Sequence, residues 1–224
     1  KKIVLAMDVG SSPSKNFSID YQYGALSFEI FSNQKKLITN SGYFPDKNNK
    51  LNKLSKSTAL HSALIIDDYS SCSSKKINNN ILVHKGLKVS KKNIVFKKNY
   101  WKITGSHDGY LKRFGTIHER EVEFYPDQNK FVGHDKILRK NPKKEIKFDI
   151  RFHLDPNSRA MKTQDNKSIL IELKDEGWRF SCNKFDINID NSLYFGNKNL
   201  YKENLNIYIS GMNKEKEQII KWEI

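Results

Sequence analysis

The strongest constraint on the fold is a ten-residue segment, residues 145–154, in which polar and apolar side chains alternate without interruption. Its apolar members are Ile146, Phe148, Ile150, Phe152 and Leu154, and its polar members are Glu145, Lys147, Asp149, Arg151 and His153. Successive side chains of an extended strand point to opposite faces, so this alternation predicts a β-strand with one apolar face. The same period of two recurs in residues 169–173 and 205–209. Helical periodicity is nearly absent, and the only candidate helix is residues 213–218.

Strand-like segments of this kind recur along the whole chain, a dozen or more of them, with turn residues every eight to twelve positions. This pattern predicts an all-β fold: an antiparallel, multi-stranded β-sandwich of two large packed sheets with little or no helix. Residues 33–34 and 126–129 are expected to form tight hairpin turns, and residues 40–57 a long polar loop. No linker or internal repeat divides the sequence, so residues 1–224 are expected to form one domain. The chain opens inside a strand without an initiator Met, and we expect it to be the C-terminal part of a longer chain.

Charge is the next informative property, because the formal net charge is +15 and only six of the 40 basic residues are Arg. A basic surface for nucleic acid or another polyanion is one interpretation. The other is a solvated Lys coat that reflects a Lys/Asn/Ile-rich composition, since Lys is spread along the whole chain. No apolar run approaches the length of a membrane span. Cys72 and Cys182 are far apart and lack metal-type spacing, so two unpaired cysteines are expected and a disulfide is the alternative.

Residues 106–120 hold the densest group of chemically active side chains in the sequence: two His, two Gly, two Arg, an Asp, a Glu and a Tyr. Strand-like sequence on both sides predicts a strand-turn-strand corner. His118 and Arg120 would share one strand face with Val122, while Glu119 would face the other way. The corner is either a ligand site or a hydrogen-bonded structural element, and proximity in sequence does not decide between the two.

Several phrases, taken together and in order, resemble the C-terminal β-sandwich region of heparinase II/III-like bacterial proteins. They are GALSFEI (24–30), LITNSG (37–42), STALHSALIIDD (57–68), residues 106–120, VGHD (132–135), FHLDP (152–156) and EGWRF (176–180). The resemblance extends from about residue 20 to residue 196. No single phrase is decisive, and the resemblance rests on the order and spacing of the phrases along the chain.

This resemblance implies a polysaccharide lyase lineage that cleaves uronic-acid polymers, such as glycosaminoglycans, by β-elimination. The expected partners are an anionic polysaccharide and an N-terminal α/α toroid of the same protein, and a bacterial, periplasmic or secreted location is expected before a cytoplasmic one. The sandwich alone is expected to be inactive. The alternative is a non-catalytic glycan-binding or structural module that has lost the metal and the catalytic residues. Nucleic-acid binding is disfavoured, because the chain lacks an aromatic RNA-binding motif and an Arg-rich strand.

The resemblance also implies a structural metal site formed by two His and one Asp of the sandwich. Only His61 matches, because Asn40 stands where the Asp is expected and Gln22 stands near the position of the other His. Amides are poorer zinc ligands than carboxylate or imidazole, so His61, Asn40 and Gln22 are weak candidates for zinc or another divalent ion. No cofactor is expected to be required. His61 is also the only catalytic candidate, with a hydrogen-bonded core histidine as the alternative.

Candidate substrate contacts come from the 106–120 corner and from tyrosines near the N-terminus. They are His107, Tyr110, His118, Arg120, Tyr21 and Tyr23. Imidazole, hydroxyl and guanidinium groups bind sugar carboxylates, and tyrosine rings stack on sugars. Trp101, Trp178 and Trp222 lie in strands with apolar neighbours and are expected in the core rather than in a sugar site.

Overall fold

The computed structural model describes residues 2–78, 80–197 and 200–224. This part of the chain forms seventeen β-strands and two short α-helices. The strands are β1 (Ile3–Met7), β2 (Phe28–Ser32), β3 (Lys35–Thr39), β4 (Leu64–Ile66), β5 (Ser73–Ile77), β6 (Asn80–Lys85), β7 (Val89–Phe96), β8 (Trp101–His107), β9 (Thr116–Tyr125), β10 (Lys130–Arg139), β11 (Ile146–Leu154), β12 (Arg159–Lys162), β13 (Ser168–Leu173), β14 (Glu176–Cys182), β15 (Asp186–Asn197), β16 (Leu200–Asn213) and β17 (Glu217–Glu223). The helices are α1 (Lys50–Ser55) and α2 (Leu111–Phe114), and single 3-10 turns lie at Lys15–Phe17, Thr58–Leu60 and Pro126–Gln128.

These strands form two large antiparallel sheets and a separate hairpin, which confirms the predicted β-sandwich. The first sheet has the order β1-β2-β3-β11-β16-β15, with β4 also paired to β11. The second sheet has the order β12-β13-β14-β17-β10-β9-β8-β7, and β5 pairs with β6 in the hairpin. The alternating segment 145–154 became β11, near the middle of the first sheet, and its five apolar side chains are all buried.

Aromatic side chains from both sheets fill the space between them. The Trp222 ring of β17 stacks on Phe28 of β2 at 5.4 Å between centroids. Phe152 of β11 meets Trp222 edge-on at 4.9 Å and lies 4.7 Å from Phe180. Contacts of this kind bury large apolar areas and fix how the sheets face each other. Trp178 and Trp222 are core residues as predicted, whereas Trp101 is only half-buried and packs on Phe124.

Three local predictions differ from the structure. Residues 213–218, the candidate helix, instead end β16 and begin β17 around a turn at 214–216. The polar loop 40–57 contains α1, which Asn49 caps by accepting a hydrogen bond from the Leu51 amide. The apolar residues of segment 58–67 also predict a strand, but only residues 64–66 form one, because a 3-10 turn precedes them. The predicted turns at 33–34 and 126–129 are confirmed, with positive φ at Asn33, Gln34 and Asn129.

Two further properties bear on function. Cys72 and Cys182 are both buried and free, as expected. Among the described residues, no helix has the length and apolar character that crossing a membrane requires.

Candidate functional site

A buried polar network occupies the second sheet and consists of His107, His118, Arg120, Asp135 and Trp222. Strand register brings these residues together, because His107 lies opposite His118 and Arg120 lies opposite Asp135. Trp222 of β17 lies opposite Gly133, and its indole ring occupies the space that a side chain at Gly133 would need. The sequence predicted the shared face of His118 and Arg120, and alternating burial along β9 confirms it.

Asp135 is the acceptor at the centre of the network. Its Oδ1 accepts from Arg120 Nε at 2.7 Å and lies 2.6 Å from His118 Nε2. Its Oδ2 accepts from Arg120 Nη2 at 3.1 Å and from Trp222 Nε1 at 2.8 Å. Burial alone would raise the pKa of Asp135, but the Arg120 charge and the His118 hydrogen bond outweigh it and hold this pKa well below its ordinary value. The carboxylate is therefore ionised and fully satisfied.

Arg120 also connects the two halves of the sandwich. Its Nη1 donates to the backbone carbonyls of Leu26 at 2.9 Å and Ser62 at 2.6 Å, which precede β2 and β4 of the first sheet. Because Asp135 balances its charge, the buried guanidinium leaves no net charge in the core. Arg120, on β9 of the second sheet, thus links two loops of the first sheet to the second sheet through hydrogen bonds.

The hydrogen-bond pattern fixes the tautomers of both histidines. The Gly109 amide donates to His107 Nδ1 at 3.1 Å, so the proton of the neutral His107 ring lies on Nε2. His107 Nε2 then donates to His118 Nδ1 at 3.2 Å, and His118 Nε2 donates to Asp135. Burial lowers the pKa of both rings, which keeps them neutral. The network is a directed relay that runs from the Gly109 backbone to Asp135.

The structure does bring His107, His118 and Arg120 together, but inside the protein. Their exposed fractions are 2%, 0% and 0%. A glycan has no surface of these side chains to contact in this structure. The geometry therefore favours the structural interpretation of the corner, and direct substrate contact stays a prediction.

His61 lies in a second buried group at the end of the Thr58–Leu60 turn. Its Nδ1 lies 2.8 Å from the Ser57 carbonyl and accordingly donates to it, while its Nε2 lies 3.1 Å from Gln22 Oε1. Because the ends of an amide exchange places on a flip, the Gln22 NH₂ group can donate to Nε2. Burial lowers the pKa of His61 to about 4. The ring is neutral and already has a partner at each nitrogen.

The three candidate metal ligands lie near one another but do not fit a zinc ion. Asn40 Oδ1 accepts a hydrogen bond from the Ser62 amide at 2.9 Å, and Gln22 engages His61. The set therefore offers one imidazole nitrogen and two amide groups already in use, without a carboxylate or thiolate. The described residues contain no group of three or more His, Cys, Asp or Glu side chains placed to hold a metal.

The candidate tyrosines belong to the interior. Tyr23 and Tyr110 are buried, and Tyr21 is half-buried with its ring 5.9 Å from that of Tyr23. Tyr110 donates its hydroxyl to the Leu64 carbonyl at 2.7 Å. These contacts leave none of the three rings as an open platform for a sugar.

An open groove of about 730 Å³, here called the basic groove, lies beside the Gly109 end of the relay. Four chain segments form it: residues 11–12, 69–73, 85–89 and 108–114. Four cations line it, Lys85, Lys88, Lys112 and Arg113, against one carboxylate, Asp108. Asp108 accepts a hydrogen bond from the Lys88 amide at 2.7 Å. Cys72 also lines the groove, but burial raises the pKa of its thiol to about 12, so it is not a nucleophile at neutral pH.

Comparison with known proteins decides the family. The profile of the family described as heparinase II/III-like, C-terminal matches residues 1–223. The chain belongs to this family. The resemblance seen in the sequence is therefore confirmed, and it extends further towards both ends than the matching phrases did.

Proteins similar to this heparinase II/III-like domain include two solved structures and one curated protein. The heparan sulfate lyase HepC from Pedobacter heparinus superposes with a TM-score of 0.78 at 13% identity, over 99% of this chain and 32% of that one. A heparinase III structure gives a TM-score of 0.70 at 15% identity, over 99% and 32%. The FtsZ-localized protein C of Caulobacter vibrioides is 24% identical over 99% of this chain. The chain spans 40% of that relative's length and about a third of each of the two solved structures.

The basic groove was not predicted as a unit, although Arg113 lies in the segment 106–120. Tyr69 and the serines after it begin a stretch that looks like an exposed connection, and Lys88 resembles the many other surface lysines. Their convergence depends on β4, β6, β7 and α2 meeting in space. A local signal did exist for the turn itself, since Gly115 ends α2 with φ of 64°.

Proposed function

We propose that this heparinase II/III-like domain binds a uronic-acid-containing anionic polysaccharide as the sandwich part of a longer lyase-lineage protein. The observation that carries the proposal is the basic groove, whose four cations have no carboxylate partner among the described residues. Some lysines elsewhere on the described surface, such as Lys36, Lys102 and Lys130, are paired with glutamates, and the groove cations are not. Unpaired cations around a concave surface attract a polyanion.

The proposed reaction of the whole protein is β-elimination, in which a base removes the C5 proton of a uronate and the 4-linked sugar departs. Neutralising the uronate carboxylate makes this proton easier to remove, and the groove cations are suited to that role. The base is proposed to come from the α/α toroid of the same protein. Four of the six histidines of this chain, His61, His107, His118 and His153, are buried. A bacterial, periplasmic or secreted location is proposed because such polymers occur outside the cytoplasm.

A non-catalytic glycan-binding or structural module is the second candidate. Gln22 and Asn40 favour it, because the resemblance implies metal ligands at these positions and the donor set here does not fit zinc. The name of the Caulobacter relative refers to FtsZ and not to a polysaccharide, so family membership does not entail cleavage.

Two measurements test these proposals. The 224-residue chain should bind heparin or polygalacturonate in an equilibrium titration and should release no ultraviolet-absorbing unsaturated uronate. A longer protein that adds the toroid should release this product if the lyase proposal is correct. Binding without product from the longer protein supports the second candidate, and absence of binding by the chain contradicts both glycan proposals.

A further inference from the structure

Arg113 is the cation of the basic groove whose position is fixed by an aromatic contact. Its guanidinium carbon lies 3.7 Å from the centroid of the Tyr69 ring. Stacking of this kind uses the flat face of the guanidinium and leaves its N–H edge free. In the part of the chain that the structure describes, no carboxylate pairs with Arg113. An Arg held flat with an unused edge is suited to two parallel hydrogen bonds with one anionic group.

The chain around Arg113 is held by the interior of the protein. Tyr110, at the start of α2, donates its hydroxyl to the Leu64 carbonyl, and the Gly109 amide donates to the buried relay at His107. Phe114 packs against Tyr69 at 5.8 Å between ring centroids, which supports the ring under the guanidinium. Binding therefore needs little ordering of this segment, and a pre-organised site loses less entropy on binding.

The segment 85–89, which is hydrogen-bonded to Asp108, carries Lys85 and Lys88 and is equally constrained. Ser12 Oγ accepts from the Leu87 amide at 2.9 Å, and Asp108 Oδ1 accepts from the Lys88 amide at 2.7 Å. The space beside Gly86 is filled by Ser12, so a side chain there would collide with it. Cations thus come from two neighbouring segments of the groove, and several serines belong to its lining as well.

We propose that the Arg113–Tyr69 pair is an anion-binding subsite that binds the acidic group of one saccharide unit, with Lys88 of the neighbouring segment adding positive charge to the same groove. This inference rests on the proposed glycan function and adds a defined site to it. A uronate carboxylate and a sulfate ester share the required chemistry, which is a compact oxyanion with at least two acceptor atoms. Neighbouring hydroxyls of the sugar meet the serine-lined part of the groove.

Isothermal titration of the 224-residue chain with three hexasaccharides tests the subsite. Hexagalacturonate carries carboxylates only, a heparin hexasaccharide adds sulfates, and maltohexaose is neutral. Arg113→Ala should weaken binding of the acidic hexasaccharide by about tenfold or more, because hydrogen bonds to a charged group are lost. Arg113→Lys should weaken it severalfold, since the charge remains while the planar fork and the stack are lost.

Arg159→Ala is the matched control, because it removes the same charge from an exposed arginine of a different pocket. It should leave the affinity within about twofold of the wild type. Unchanged near-ultraviolet circular dichroism and thermal midpoint in both alanine variants establish that the fold is intact.

Each remaining outcome has a defined meaning. Equal losses for Arg113→Ala and Arg159→Ala overturn the subsite and leave general polyanion binding standing. Equal affinity for maltohexaose and the acidic sugars also overturns it. If the wild-type chain binds no acidic hexasaccharide, the proposed function itself fails. A preference between the two acidic probes assigns the site to carboxylate or to sulfate.

Discussion

Asp135 shows why a cluster of His, Arg and Asp is not by itself an active site. Its two oxygens accept four hydrogen bonds from three side chains, and none of these side chains has exposed surface. Polar groups buried in this way order a core when every donor and acceptor is satisfied. The relay begins at the Gly109 amide, and Gly109 lines the basic groove. The buried cluster therefore holds one side of the groove in place without lining it.

The four buried histidines predict a strong acid sensitivity of folding. Burial lowers the pKa of His61 to about 4 and that of His153 to about 3, and it lowers those of His107 and His118 as well. An unfolded histidine binds its proton near pH 6.5, so below that pH the unfolded chain binds protons that the native chain does not. Stability is therefore present above about pH 6.5 and decreases as pH falls, by about 1.4 kcal/mol per pH unit for each neutral histidine.

Urea unfolding at about pH 7.5 and about pH 5 measures this effect as a difference in the free energy of unfolding. The lowered pKa of Asp135 acts in the same direction at still lower pH. His84→Asn, at an exposed histidine, is the control and should preserve the slope. A free energy of unfolding that stays constant between the two pH values would contradict the neutral, buried assignment.

At the scale of elements, hydrophobic alternation predicted well where the strands lie, but it did not predict which segments cover their polar faces. Residues 145–154 formed β11 as expected, but its polar side also holds the buried Asp149 and His153. The reason is topological: β11 pairs with β16, β3 and β4, and other segments cover its second face. His153 Nδ1 lies 3.1 Å from Ser192 Oγ and its Nε2 lies 3.0 Å from the Ala59 carbonyl, both distant in sequence. A period of two shows which side chains share a face, and not what covers that face.

The same limit applies to the candidate site. Neighbours on one strand, such as His118 and Arg120, could be grouped from sequence because spacing alone sets their face. Arg113 and Tyr69 could not be paired, because 44 positions separate them and no local rule relates a bend after β4 to helix α2. The sequence therefore grouped His107, His118 and Arg120, which lie in one corner, but it did not join Asp135 and Trp222 to them. It also missed the groove, which four segments share.

Gly109 is where the corner element and the groove meet, and its replacement should disturb both. A Cβ atom at this position would lie 2.5 Å from the Ser71 carbonyl oxygen and 3.1 Å from His107 Nδ1. The backbone must shift, which weakens the Gly109–His107 hydrogen bond, so Gly109→Ala should cost about 1–3 kcal/mol of unfolding free energy. Gly177→Ala, with nothing within 4 Å of its Cβ, should change it by less than about 1 kcal/mol. Urea titration of both variants measures the difference, and equal values would show that the corner is not tightly packed.

At the scale of the whole molecule, the net charge is +15. Its basic residues fall into two groups, those paired with carboxylates and those that are not, and composition alone could not separate the two. Many lysines lie beside carboxylates on the sheet faces, for example Lys91 and Lys136 on either side of Glu119. Exposed pairs of this kind contribute little to stability, but they reduce the local field. Within the described residues, the four cations of the basic groove are not paired in this way, so part of the surplus positive charge lies around a concave surface.

This distribution predicts that glycan binding depends steeply on salt and that the dependence lies mainly in the association rate. Raising NaCl from about 50 mM to about 200 mM shortens the screening length and should weaken binding to immobilised heparin by about tenfold or more. Electrostatic attraction acts on the approach of the partners, so the association rate should fall while the dissociation rate changes little. Surface plasmon resonance separates the two rates, and a chemically desulfated, carboxyl-reduced heparin surface is the control. An affinity that does not change with salt would show that the groove charge does not drive the encounter.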